Sequence, residues 1–151
     1  MTTATAPVVR GSIPEIIRND GQLYEGDLIK YFNIVFYRAR NVRAPYHNFR
    51  HLMHVLYLCY QACEFYKDRL TPRQMRNLLI AAMFHDFDHS GVQEKDSIQV
   101  EAAIRGFLKH VLPEDLMSAS EIVELIRWTE YPYTVPSSEI PLLAQILRDA
   151  D

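Results

Sequence analysis

At 151 residues the chain has the length of one domain, and 48% hydrophobic against 23% charged residues is the balance of a folded globular protein rather than a disordered one. A net charge of -3 gives no electrostatic reason to expect nucleic acid or an anionic membrane surface as partner, so an anionic ligand needs a local positive centre. No apolar run reaches the roughly 18 residues of a membrane span, and residues 1–12, rich in Thr, Ala and Pro, read as a mobile tail rather than a signal peptide.

Beyond that tail a short helical turn is expected near Ile13 to Arg18, ended by Asn19-Asp20-Gly21. From about Leu23 to Arg40, the residues Leu28, Tyr31, Phe32, Val35 and Phe36 recur at three- and four-residue spacing, the pattern of an amphipathic helix. Asn41 to Pro45 breaks it, because Pro45 disfavours a helical Ala44. A helix from about Asn48 to Lys67 follows, with Asn48 as N-cap. His47, His51 and His54 fall at i, i+4 and i+7 of its pattern, continued inward by Val55, Leu58 and Ala62. Cys59 and Cys63, four apart on the same helix, are poorly placed for a mutual disulfide and read as buried thiols of a reducing cytoplasm.

Thr71-Pro72-Arg73-Gln74 combines a capping Thr, Pro at the first helical position and Gln three residues after the cap, opening a helix to about Phe87. Another helix is expected from about Lys95 to His110, with Asp96 and Glu101 as its acids. Ser118 and Glu121 suggest a second capping box, starting a helix through Ile122, Leu125, Ile126 and Thr129. Tyr131 to Pro136 is a proline-bounded loop whose two tyrosines are expected to pack, with lining a cleft as the alternative. The last helix starts near Ser138, holds Pro141 in its first turn and buries Leu142, Leu143, Ile146 and Leu147. No strand-like alternation, repeat or linker interrupts this order, so an all-α single domain of about six to seven helices is expected over residues 13–151.

The chemistry concentrates in Ala81 to Gly91, where His85, Asp86, Asp88 and His89 end an apolar run and no Lys or Arg stands between Arg76 and Lys95. Carboxylates leaving an apolar helix without a basic neighbour need water or a cation, since an unpaired buried charge costs several kcal/mol or more. Carboxylate beside imidazole favours a divalent metal; the plainer alternative is a solvated helix C-terminus with a histidine satisfying its last carbonyls. Five of the six histidines fall between positions 47 and 89, which weighs against a lone core histidine.

Tyr46-His47-Asn48-Phe49-Arg50-His51 followed by His85-Asp86-Phe87-Asp88-His89-Ser90-Gly91, with a distal Asp in Leu147-Arg148-Asp149-Ala150-Asp151, resembles the HD superfamily of metal-dependent phosphohydrolases. More narrowly, it is similar to the catalytic domain of class I cyclic-nucleotide phosphodiesterases, over about Leu28 to Asp151. The resemblance implies that His51, His85, Asp86 and Asp151 hold a first metal (zinc, iron, manganese or cobalt), with Asp149 the rival to Asp151. It implies that Asp86 bridges to a second, more watery metal (magnesium or manganese), with His89 and Glu101 in its outer shell and Asp88 orienting ligands or waters. His47 would be the general acid and, with Asn48, would contact the substrate. The activity so implied is hydrolysis of a phosphodiester such as a 3′,5′-cyclic nucleotide through a metal-bridging hydroxide, in a cytoplasmic protein with a small-molecule phosphate ester as partner. An HD-type nucleotidase or phosphomonoesterase, or a non-catalytic metal- or nucleotide-binding module, are the alternatives.

Three positions depart from the family pattern: His54 stands where an acid is usual, Ser90 where Pro is usual and Glu94 where Asn is usual. The family's nucleobase pocket lies after the distal Asp, so base selectivity is not carried over, and a C-terminally truncated domain is expected.

Overall fold

The structure, a computed structural model, describes residues 11–39, 41, 48–90 and 95–151. Among these residues there are seven α-helices and two 3-10 turns and no strand, a single compact all-α domain as the sequence implies.

Helix α1 (Ile13–Arg18) begins at Ser12, whose hydroxyl accepts from the Glu15 amide, and ends at Asn19 in the left-handed conformation, φ 59°. The Asn19 amide then donates to the carbonyls of Tyr24 (2.6 Å) and Gly26 (2.7 Å), and its oxygen accepts from the Leu23 amide (2.9 Å). This side-chain clamp, with Gly26 at φ 74°, holds residues 23–28 out of helical geometry. Helix α2 (Ile29–Arg38) consequently starts later than periodicity alone suggests.

Helix α3 (Phe49–Phe65) follows its expected Asn48 cap, and α4 (Pro72–Phe84) follows a complete Thr71/Gln74 capping box. Cys59 and Cys63 are buried free thiols within α3. Helix α5 (Asp96–His110) leads into a 3-10 turn at Pro113–Ser118, which runs straight into α6 (Ala119–Arg127). Ser118 is therefore already turned (φ -98°, ψ 0°) and makes no side-chain cap; the expected capping box does not form, and Glu121 accepts from the Asn77 amide at 3.2 Å instead. A second 3-10 turn occupies Ser137–Glu139, so that Pro141 caps α7 (Leu142–Ala150) from outside rather than lying in its first turn. The buried face of α7 is Ala144, Ile146, Leu147 and Arg148, with Leu142 and Leu143 only half-buried.

Helix α4 is the axle of the fold. Every residue from Met75 to Phe84 is buried, and α2, α3, α5, α6 and α7 all pack on it. A helix apolar nearly all round belongs in the centre of a bundle, and burial of its aliphatic side chains, each worth about 1.5–3 kcal/mol, holds the domain together. Its one buried cation, Arg76, is matched by the fully buried Asp115 through Nε (2.8 Å) and Nη2 (2.9 Å), and the Tyr31 hydroxyl donates to the same carboxylate at 2.6 Å. Arg76 also donates to the carbonyls of Glu25 and Asp27. The network pins α2 and the Pro113–Ser118 turn to α4, and thereby fixes the opposite, polar end of α4.

Candidate metal centre

Three chain segments converge where α4 ends. Helix α3 contributes His51 from its first turn, where the Asn48 side-chain oxygen accepts from the His51 amide at 2.9 Å. Helix α4 contributes His85, its C-cap residue, and Asp86 just beyond. Helix α7 contributes Asp151, whose amide donates to the Leu147 carbonyl at 3.0 Å. One ligand atom from each of His51, His85, Asp86 and Asp151 lies within 4.8 Å of the others. Asp151 Oδ1 is 3.1 Å from His51 Nε2 and 3.2 Å from His85 Nε2, while Asp86 Oδ2 is 3.3 Å and 3.5 Å from the same two nitrogens.

The electrostatics of this group explain its composition. Asp86 and Asp151 both follow helix C-termini, where the helix dipole disfavours a carboxylate and favours a cation. The four groups act strongly on one another: hydrogen bonds to Asp151 and Asp86 hold the His51 imidazole up to about 9 against partial burial. Burial pushes the His85 imidazole down, but the Asp86 charge and the Asp151 hydrogen bond outweigh it and leave it raised, also to about 9. Burial would raise the Asp151 carboxyl, yet its hydrogen bonds to His51 and His85 hold it well below the usual carboxylate range.

The donor set fits a divalent ion. His85 Nδ1 donates to the Ala82 carbonyl at 2.7 Å, which fixes the ring and leaves Nε2 for the shared centre, the outer-sphere arrangement common to metal-bound histidines. Two imidazole nitrogens and two carboxylates suit zinc, iron, manganese or cobalt. Asn41, 2% exposed, supports the same turn: its amide donates to the Asp86 carbonyl (2.9 Å) and its oxygen accepts from the Asp88 amide (3.0 Å), holding Asp88 at φ 59°.

Other sequence candidates go elsewhere. His47 lies outside the described residues, as do Gly91 and Glu94. Asp88 and His89 line a separate cleft of about 940 Å³ with Arg38, Arg105 and Lys109. Glu101 is not brought to the centre; it pairs with Arg127 on the surface between α5 and α6. His54 is exposed and leaves the face that carries His51, and Asp149 is exposed beside Asp151.

A cavity of about 230 Å³ opens beside the centre, lined by His85, Asp86 and Asp151 on one side and by Asp96, Gln99, Tyr131 and Tyr133 on the other. Sequence reasoning missed three residues here. Asp96, expected only as an acid of its helix, accepts from the Tyr131 amide at 2.6 Å. Arg148, buried in α7, donates to the carbonyls of Trp128 and Val135, both at 2.7 Å. Asn41 passed for a simple helix break. One signal was legible: Ala144, Leu147, Arg148 and Asp151 share one helical stripe, and two charges in an apolar stripe need buried partners.

The fold and site together define an all-α bundle in which two histidines and two aspartates beside a cavity could hold a divalent metal. Residues 46–110 match the sequence model of the family described as 3'5'-cyclic nucleotide phosphodiesterase. Over that stretch, which includes His51, His85, Asp86 and His89 and stops short of Asp151, the chain resembles a class I phosphodiesterase domain, and the match supports a phosphodiesterase-like hydrolase that uses divalent metals. Neither a curated protein nor a solved structure matches the chain. No helix among the described residues is long and apolar enough to cross a membrane.

Proposed function

We propose that the chain is a divalent-metal-dependent phosphohydrolase acting on a phosphodiester of the 3′,5′-cyclic-nucleotide kind, in the cytoplasm. The observation that carries this reading is the convergence of His51, His85, Asp86 and Asp151 within 4.8 Å, in a chain whose residues 46–110 match the phosphodiesterase family. These four side chains would hold the first ion, and Asp86 would also serve a second, magnesium or manganese; Asp88 and His89, which line the neighbouring cleft, would act on it only through water. When bound, the ions neutralise phosphoryl oxygens and bring the pKa of a water toward neutrality. His85 keeps its orientation through Ala82, Asp86 through the Asn41 clamp on its backbone, and Asp151 through the packing of α7 on α3 and α4. His47, one residue before the α3 cap, gives a proton to the departing oxygen, and such general-acid assistance is worth about 10²- to 10⁴-fold.

Metal content of the purified protein, after loading with manganese, zinc or magnesium, tests the first half of the reading, and a panel of cyclic nucleotides, nucleoside monophosphates and bis(p-nitrophenyl) phosphate tests the second. Stoichiometric metal with cleavage of diesters is expected. Phosphate release from monophosphates with diesters left intact would reassign the protein as a monoesterase, metal without turnover as a binding module, and absence of metal would overturn the reading altogether.

A further inference from the structure

The loop between α6 and α7 presents two tyrosines at the mouth of the cavity beside the metal centre, and it is held there by contacts that do not use their outer ring surfaces. Asp96 accepts from the Tyr131 amide, and Arg148 ties down the carbonyls of Trp128 and Val135 at the two ends of the loop. The Arg148 guanidinium also covers one face of Tyr133, 4.0 Å from the ring centroid, a cation–π contact that fixes this ring. Tyr131 meets Tyr133 edge to face, with centroids 5.5 Å apart and planes at 81°. Despite these restraints Tyr131 is 67% exposed and Tyr133 42% exposed.

Scattered exposed tyrosines need no explanation. Here Arg148 fixes the Tyr133 ring and Asp96 fixes the Tyr131 backbone, and both rings line the same cavity as His85, Asp86 and Asp151. Rigid aromatic surface next to a phosphate-binding centre favours a planar group on the same ligand, because ordering the wall is already accomplished before binding.

From this arrangement, and resting on the phosphohydrolase reading above, we infer that Tyr131 and Tyr133 form a stacking wall for the aromatic base of a nucleotide whose phosphate lies at the metal centre. The polar side chains of the cavity bear on selectivity. The Gln99 amide is engaged at both ends, its oxygen accepting from the Ser90 amide (2.9 Å) and its nitrogen donating to the Ser90 hydroxyl (2.6 Å). Thr129 donates to the Ile126 carbonyl at 2.6 Å. The phenol hydroxyls rotate and both donate and accept, so the wall reads the face of a base rather than its edge. Adenine and guanine nucleotides therefore bind alike.

Calorimetric titration of the manganese-loaded chain with AMP, GMP, ribose 5-phosphate and inorganic phosphate tests the inference by binding rather than turnover. AMP and GMP should bind within about threefold of each other and at least fivefold more tightly than ribose 5-phosphate, since base–aromatic stacking is worth roughly 5- to 150-fold per base. Tyr131→Ala should remove this advantage and leave ribose 5-phosphate binding unchanged, while Tyr131→Phe should keep it; the exposed position of the ring lets both variants fold. Ribose 5-phosphate binding as tightly as AMP, or Tyr131→Ala weakening both equally, would overturn the stacking wall and leave the phosphohydrolase reading standing. No binding of any phosphate compound would overturn both.

Discussion

Gly106 and Phe87 meet more closely than any side chain at position 106 would permit: a Cβ there would stand 2.2 Å from Cδ1 of the Phe87 ring and 2.7 Å from Cε1. Phe87 is 2% exposed and its ring is packed against Phe84 and His110, with centroids at 5.1 Å and 5.8 Å, so it has no room to turn aside. Because Phe87 follows Asp86 directly, this bare patch of α5 sets how closely α5 approaches the His85-Asp86 turn. Gly106→Ala gains up to about 1 kcal/mol in helix propensity but overpacks the contact at about 1–3 kcal/mol. A net fall in melting temperature is expected, with weaker metal retention; an unchanged or raised melting temperature would show that α5 shifts without cost.

Asn41 holds the same turn from the other direction, through the Asp86 carbonyl and the Asp88 amide. Residues that support metal ligands from outside typically cost about 10- to 100-fold in metal affinity when removed. Asn41→Ala is expected to weaken manganese binding by about that factor, read by competition with a chromogenic chelator. Affinity equal to the parent's would mean that the turn keeps its shape unaided.

Asp115 contributes to the acid dependence of folding. Burial alone would raise its carboxyl, but hydrogen bonds from Arg76, Tyr31 and Arg73 lower it below the ordinary value. A folded-state pKa below the unfolded one gives stability that is complete above the unfolded value, about 3.9, and is lost as pH falls through the folded one. Asp115→Asn, which leaves Arg76 buried without its partner, should cost about 3–5 kcal/mol at pH 7. Urea unfolding should show the gap between parent and variant narrowing below about pH 4; a gap independent of pH would remove the ionised carboxylate from the account.

Metal binding should itself be visible in stability. An ion at 100 times its dissociation constant stabilises the folded state by about 2.7 kcal/mol, so loading should raise the melting temperature and a chelator should reverse the rise. His85→Ala and Asp151→Ala should each abolish the shift. Glu101→Gln should keep it, because Glu101 is engaged with Arg127 at an exposed site worth about 0–1 kcal/mol. Loss of the shift in Glu101→Gln would restore that residue to the outer shell of the metal.

The two acids of α5 show where reading the sequence stops. Asp96 and Glu101 are five positions apart on one helix and look alike as charged surface residues. Asp96 anchors the Tyr131 amide at the cavity, whereas Glu101 pairs with Arg127 outside it. Which of them meets the site depends on the direction from which α6 and its following loop cross α5, and no spacing within α5 encodes that. Ser118 and Glu121 give the converse case: the capping pattern is present, but the preceding 3-10 turn leaves Ser118 no extended backbone from which to cap.

The chain of residues alone determined that this protein is helical, because three- and four-residue apolar spacing with strong start signals at Asn48 and Thr71 leaves little freedom for another local geometry. It also set the two motifs that place His51 one turn into α3 and His85-Asp86 at the end of α4. For the fourth member the resemblance favours Asp151 and keeps Asp149 as its rival, and the tertiary structure supplies the physical reason. Asp149 and Asp151 differ by two positions, about 200° around a helix, and the packing of α7 on α3 and α4 turns Asp151 toward the histidines and Asp149 to solvent. The same packing buries Arg148, whose grip on the α6–α7 loop puts the two tyrosines beside the centre.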